Sequence, residues 1–160
     1  TLIGIEGAVM ENGMRRYFER YPDGTFKLKS LAEATHKLYG AIKTIVNDNP
    51  SKTISIMGYS NGANIALNVL KEHADLNVDY AILYHPSPVR TDVAYEKQNK
   101  IKVLLTSGSN DSFISEEQFE QLYKDVALAM RVNTYSHSLG HELIQEELDV
   151  TRQFLRGLYE

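Results

Sequence analysis

The chain has 160 residues, 42% of them hydrophobic and 24% charged, with a formal net charge of -4. That length and balance fit one globular domain spanning residues 1–160, able to bury a core without disulfide or metal support. The mild acidity argues against nucleic acid or an anionic membrane as the main partner. The absence of cysteine excludes disulfides, thiol nucleophiles and cysteine-held zinc or iron–sulfur sites.

No apolar run approaches the ~20 residues of a membrane span and no secretory signal is visible, so a cytoplasmic location is expected. The chain opens at Thr1, and Leu2–Ile5 reads as a first strand. Gly7–Phe18 reads as a loop leading into a short helix. Leu31, Leu38, Ile42 and Ile45 recur at helical spacing and predict a helix over residues 30–47, closed by Asn49-Pro50. Thr53–Met57 reads as a strand, Asn61–His73 as a helix, and Tyr80–Tyr84 and Lys102–Thr106 as further strands. Ser115-Glu116-Glu117-Gln118 has the form of a capping box, which predicts a helix running to Met130. Val132–Ser136 reads as the last strand. A final helix over residues 142–158 is expected to bury Leu143, Leu148, Phe154 and Leu155. Strands alternating with helices imply an α/β fold on a mostly parallel sheet.

The chemistry concentrates at Gly58-Tyr59-Ser60-Asn61-Gly62. A G-x-S-x-G sequence between a strand and a helix places its serine on a sharp turn above the sheet. The small residues on either side let strand and helix approach. The backbone N–H of Asn61, near a helix N-terminus, can donate to the oxyanion of a tetrahedral intermediate. The competing reading is a glycine-rich turn with Ser60 as a helix cap.

A serine hydroxyl needs a base, and the base needs a carboxylate to orient it. In this type of fold the chain order is serine, acid, histidine. Asp111 follows the Lys102–Thr106 strand and His141 follows the Val132–Ser136 strand. Both stand at strand C-terminal ends, where such sheets hold their sites. Asp92 is an alternative acid and His137 an alternative base. Asp79 lies at the wrong end of its strand, Asp149 on a helix surface, and His36 and His73 within helices. His85 reads equally as a pocket residue or as a structural histidine before a proline-rich turn.

With these residues in hand, the chain resembles the phospholipase/carboxylesterase family of α/β hydrolases, in particular small bacterial carboxylesterases related to acyl-protein thioesterases. The segments that carry the resemblance are Glu6 to Phe18, Gly58 to Ala66, Ala81 to Pro86, Gly108 to Ile114, and Gly140-His141. It implies an α/β-hydrolase fold, no cofactor or metal, and ester hydrolysis through an acyl-enzyme, with Ser60, Asp111 and His141 as the triad. It also implies that the Gly7–Phe18 loop, with Met10, Asn12 and Phe18, borders the acyl or leaving-group pocket, and it makes a homodimer plausible; Tyr17, Phe18, Tyr59 and His85 suggest an aromatic edge to that pocket. Members of that family carry further N-terminal strands and a His-Gly-x-x-Gly-type loop that supplies a second oxyanion donor. Neither is found in this sequence, so the first family strands are expected to be missing from the chain. The expected function is cleavage of carboxylic esters of small or medium acyl groups. The alternatives are thioesterase or lysophospholipase activity, or a non-catalytic hydrolase-fold protein that binds a small ligand.

Overall fold

The computed structural model describes residues 1–159 and arranges them as strands β1 (Val9–Glu11), β2 (Met14–Arg16), β3 (Ser55–Tyr59), β4 (Tyr80–Tyr84), β5 (Lys102–Gly108) and β6 (Arg131–His137). The helices are α1 (Leu28–Asp48), α2 (Asn61–Glu72), α3 (Glu116–Ala127) and α4 (Gln145–Leu155). Strands β3 to β6 form a four-stranded sheet in the order β3-β4-β5-β6, and every pair in it is parallel. The chain thus adopts an α/β-hydrolase fold with helices packed on both sides of a parallel sheet.

Parallel strands covered on both faces read as continuous apolar runs. The segments Ala81-Ile82-Leu83 and Val103-Leu104-Leu105 follow that rule, and all six residues are fully buried. Alternate side chains leave the sheet on opposite faces. Ala81, Leu83, Val103 and Leu105 join residues of α2 and α3, including Leu67, Leu70, Leu122 and Val126, in the larger core. Ile82, Tyr84 and Leu104 pack instead against Val150 and Phe154 of α4. Each fully buried aliphatic side chain contributes roughly 1.5–3 kcal/mol relative to exposure. The two faces together therefore hold β4 and β5 firmly beneath their C-terminal ends.

Three expectations from the sequence need correction. The Leu2–Ile5 run forms no strand among the described residues, and Leu2 is 91% exposed. A strand needs a hydrogen-bonded neighbour. Here the outer edge of β3 faces a groove of about 570 Å³, lined in part by Ile3, Ile5, Ile42, Ile54 and Ile56, and among the described residues no strand pairs with that edge. The Gly7–Phe18 segment contains no helix; it is the antiparallel hairpin β1–β2. Its two-residue turn is Asn12-Gly13 with φ of 49° and 77°. Asn-Gly tolerates the left-handed conformation at both positions, the requirement of a tight hairpin turn. Glu11 then receives hydrogen bonds from Arg16 and Arg20 at 2.8 and 3.0 Å, which clamp the hairpin.

The third correction concerns the last helix. It spans Gln145–Leu155 rather than 142–158, so Leu143 lies before it. Leu143 and Leu155 are each 40% exposed, while Glu147, Val150, Thr151 and Phe154 are buried. The other boundaries move by a few residues. The capping box of α3 forms as expected: Ser115 Oγ accepts the Gln118 N–H at 3.1 Å, and Gln118 Oε1 accepts the Ser115 N–H at 2.9 Å.

Candidate active site

The site is assembled at the C-terminal ends of β3, β5 and β6. Ser60 sits between β3 and α2 with φ 54° and ψ -115°, a conformation that L-residues avoid. Such backbone strain costs on the order of 1–3 kcal/mol and persists only where its surroundings enforce it. The Ser60 N–H donates to the Tyr84 carbonyl at 2.9 Å, and its own carbonyl accepts the Asn64 N–H at 2.9 Å. The two glycines permit the turn. A Cβ on Gly58 would lie 2.5 Å from the Gly62 carbonyl oxygen. The Ser60 hydroxyl makes no capping bond to α2. The helix-cap reading of this serine is therefore set aside.

Two loops bring its neighbours. His141 Nε2 lies 2.7 Å from Ser60 Oγ, and His141 Nδ1 lies 2.6 Å from Asp111 Oδ2. Asp111 follows β5, and its Oδ1 accepts the Phe113 N–H at 2.8 Å. Both side-chain oxygens of a fully buried carboxylate are thus engaged. Burial alone would raise the Asp111 carboxyl, but the hydrogen bonds from His141 and the Phe113 N–H outweigh it and hold the group below its usual range. The His141 loop is anchored by Tyr59, whose hydroxyl donates to the His141 carbonyl at 2.7 Å. Burial, with the Asp111 and Glu147 carboxylates nearby, pushes the Tyr59 phenol up, so it stays a donor. The Phe113 and Tyr59 rings flank the imidazole at centroid distances of 4.5 and 5.5 Å.

Asn61 opens α2, where a backbone N–H has no intrahelical acceptor. Its side chain ties the elbow to the hairpin, because Oδ1 accepts the Tyr17 N–H at 2.7 Å. That bond comes from Tyr17, not from Met10 or Asn12, which occupy β1 and the hairpin turn.

Phe18 and His85 need correction as pocket residues. Phe18 is fully buried in a cluster with Leu31 and Ile65, where its bulk packs edge-on against Phe26. His85 is also fully buried, behind Asp111 rather than in an open pocket. The alternatives to the central trio lie elsewhere. Asp92 is exposed and paired with Arg90. Asp79 accepts the Ile54 N–H at the opposite end of the sheet. His137 is buried, with Nδ1 accepting the Leu139 N–H and Nε2 facing the Glu142 carbonyl.

Glu147 is the residue the sequence reading passed over. It is fully buried, accepts from Thr106 Oγ1 at 2.6 Å and from the Ile144 N–H at 2.8 Å, and stands 2.7 Å from His85 Nε2. A signal for it exists, since Glu147 lies three residues before Val150 and seven before Phe154, on one helical stripe with both. The donor atoms of His85, Asp111 and His141, and those of His85, His137 and Glu147, each gather within 4.8 Å. They are directed at one another, at Ser60 and at backbone groups, as a hydrogen-bonded network.

Residues 14–147 match the model of the dienelactone hydrolase family. The chain is 31% identical to MhqD of Bacillus subtilis (strain 168), a hydrolase by name, over 97% of its own length and 78% of that protein. Among solved structures it resembles a carboxylesterase of Bacillus cereus with a TM-score of 0.87 and 27% identity, covering 96% of this chain and 74% of the other. It is equally similar to the protein Atu2452 of Agrobacterium tumefaciens str. C58, of unknown function, with a TM-score of 0.86, 32% identity and coverage of 96% and 75%. No helix among the described residues is long and apolar enough to cross a membrane.

Proposed function

Since the chain belongs to the dienelactone hydrolase family and is a hydrolase of the carboxylesterase type, we propose that it cleaves carboxylic esters of small or medium acyl groups through a serine acyl-enzyme. The observation that carries this reading is the continuous chain from Ser60 Oγ to His141 at 2.7 Å and on to Asp111 at 2.6 Å. Asp111 holds the His141 Nδ1–H, which leaves Nε2 free to accept the Ser60 proton. The Ser60 oxygen then attacks the ester carbonyl, and the carbonyl oxygen becomes an anion. The Asn61 N–H at the start of α2 donates to that anion, in the positive field of the helix N-terminus. His141 returns the proton to the departing alkoxide, the tetrahedral intermediate collapses, and the acyl group remains on Ser60. Water repeats the sequence to release the acid.

Tyr59 and Phe113 are 41% and 60% exposed beside the imidazole. They form an aromatic rim suited to an apolar acyl or alkoxy group. Mass spectrometry after reaction with a fluorophosphonate tests the assignment. Label is expected on Ser60, together with turnover of a short-chain chromogenic ester that Ser60→Ala abolishes. Label elsewhere, or full turnover by Ser60→Ala, would reject it.

A further inference from the structure

Behind Asp111 the protein buries a second titratable pair that the acyl-transfer steps above do not use. His85 follows β4 with φ 53°, a strained backbone for a histidine, and its side chain is fully buried. Nδ1 lies 3.3 Å from Asp111 Oδ2, the same oxygen that receives His141. Nε2 lies 2.7 Å from Glu147 Oε1, a charge contact that lacks hydrogen-bond geometry. Both ring nitrogens therefore face carboxylate oxygens in the buried interior. A neutral imidazole carries one proton and one lone pair. Either tautomer would set that lone pair against a buried carboxylate, at 3.3 or 2.7 Å.

Among the described residues no Lys or Arg pairs with either of these acids, whose ion-pair partners are histidines. The groups facing His85 are Asp111 from the loop after β5, Glu147 from α4, His137 from β6, His141 from the loop before α4, and Tyr59 from β3. His137 accepts the Leu139 N–H on Nδ1, and its Nε2 lies 3.2 Å from the Glu142 carbonyl oxygen and 3.5 Å from Glu147 Oε2. Tyr59 remains a phenol. His141 must present an unprotonated Nε2 to Ser60 in the resting site. A buried carboxylate without a compensating charge is costly, and two of them in one network repel.

We propose that His85 is a permanent imidazolium clamped between Asp111 and Glu147, and that the His85–Glu147 pair is a positioning unit that sets the field of Asp111 on His141. The inference rests on the reading of Ser60, Asp111 and His141 as the reacting trio. Part of the Asp111 charge-pairing is then committed to His85. His141 is oriented by the carboxylate, while the cation 5.4 Å away keeps it from becoming too strongly protonated to act as a base. Burial opposes a charged His85, but the Glu147 and Asp111 carboxylates prevail and hold the ring above its ordinary range. The Glu147 carboxyl is in turn pushed up by burial yet held low by His85, Thr106 and the Ile144 N–H.

The first test uses the unaltered protein labelled with ¹⁵N-histidine and needs no substrate. Proton–nitrogen correlation spectra are recorded across about pH 5 to 8, the range in which a free histidine changes charge. His85, assigned by its loss in His85→Asn, is expected to keep protons on both ring nitrogens throughout. A His85 that loses one proton within that range overturns the proposal, whatever the fate of the esterase reading. The second test is the pH profile of kcat/KM for ester turnover in His85→Asn and Glu147→Gln. A unit charge removed about 5 Å from His141 at an effective dielectric of ~20 should raise the acid limb by roughly two pH units. Glu147→Gln is expected to act in the same direction, by letting His85 lose its charge. Reduced kcat in both variants with an unmoved limb would mean a merely structural pair and would also overturn it.

Discussion

Replacing Gly58 by alanine probes the elbow without touching any reacting atom. A Cβ there would sit 2.5 Å from the Gly62 oxygen, 2.6 Å from its carbon and 2.7 Å from the Ala63 nitrogen. All three are backbone atoms of the first turn of α2, so no side chain can swing away. Ordinary contact begins near 3.4 Å, and the start of the helix must retreat from β3 by about 0.9 Å. Ser60 is attached to that turn, and its 2.7 Å bond to His141 would stretch well beyond 3.2 Å. A misplacement of about 1 Å in a reacting group costs on the order of 100-fold in rate, or about 2.7 kcal/mol of barrier. The accompanying overpacking should cost about 1–3 kcal/mol of stability, a fall in Tm of roughly 2–12 °C. Steady-state turnover of a short-chain chromogenic ester and thermal unfolding by circular dichroism measure the two effects. A Gly58→Ala protein within two-fold of the parent in kcat would refute the claim that this approach sets the position of Ser60.

Asp111→Asn should keep the fold but present the wrong hydrogen-bonding edge to His141 Nδ1, and a loss near 10⁴ in kcat is expected by analogy with other serine triads. Gly108→Ala is expected to impair turnover without altering any proposed reacting group. Its Cβ would meet the Gly140 and Leu139 carbonyl oxygens, at 2.5 Å for Leu139, and push the His141 loop outward. Retained kcat would show that loop to be more compliant than its packing suggests. Stability should decline on both sides of neutrality. Asp111 and Glu147 have carboxyls held below their usual range, so their contribution is present above about pH 4 and lost as pH falls through the folded values. His85 is held above its usual range, so its contribution is complete below about pH 6.5 and lost as pH rises through the folded value. A Tm that keeps rising as acid is added would contradict the first half.

The sequence carried the sheet well because β4 and β5 are buried on both faces, and such strands advertise themselves as unbroken apolar runs. The G-x-S-x-G turn was equally legible, since its glycines answer a local demand of one strand and one helix. Asp111 and His141 followed from chain order. Leu2–Ile5 misled because apolar β-favouring composition says nothing about whether a pairing partner stands beside it. The hairpin was signalled by Asn12-Gly13, yet its strands are three residues each, too short to show a period. His85 and Glu147 were the hardest. Each is a polar residue whose meaning depends on the other, across α4 and β4, and no local pattern joins positions 85 and 147.

Glu147 gives the order of assembly a consequence. The sheet can grow from β3 to β6 as the chain emerges, and Ser60, Asp111 and His141 are all present before α4 exists. Until α4 docks, however, the sheet face that Val150 and Phe154 cover is open to water and His85 has Asp111 but not Glu147 beside it. On the proposed roles the last helix acts as a checkpoint: a chain that has not completed α4 would carry Ser60, Asp111 and His141 without Glu147 beside His85. The proposal thereby links the tuning of His141 to the docking of α4 through one buried side chain, Glu147.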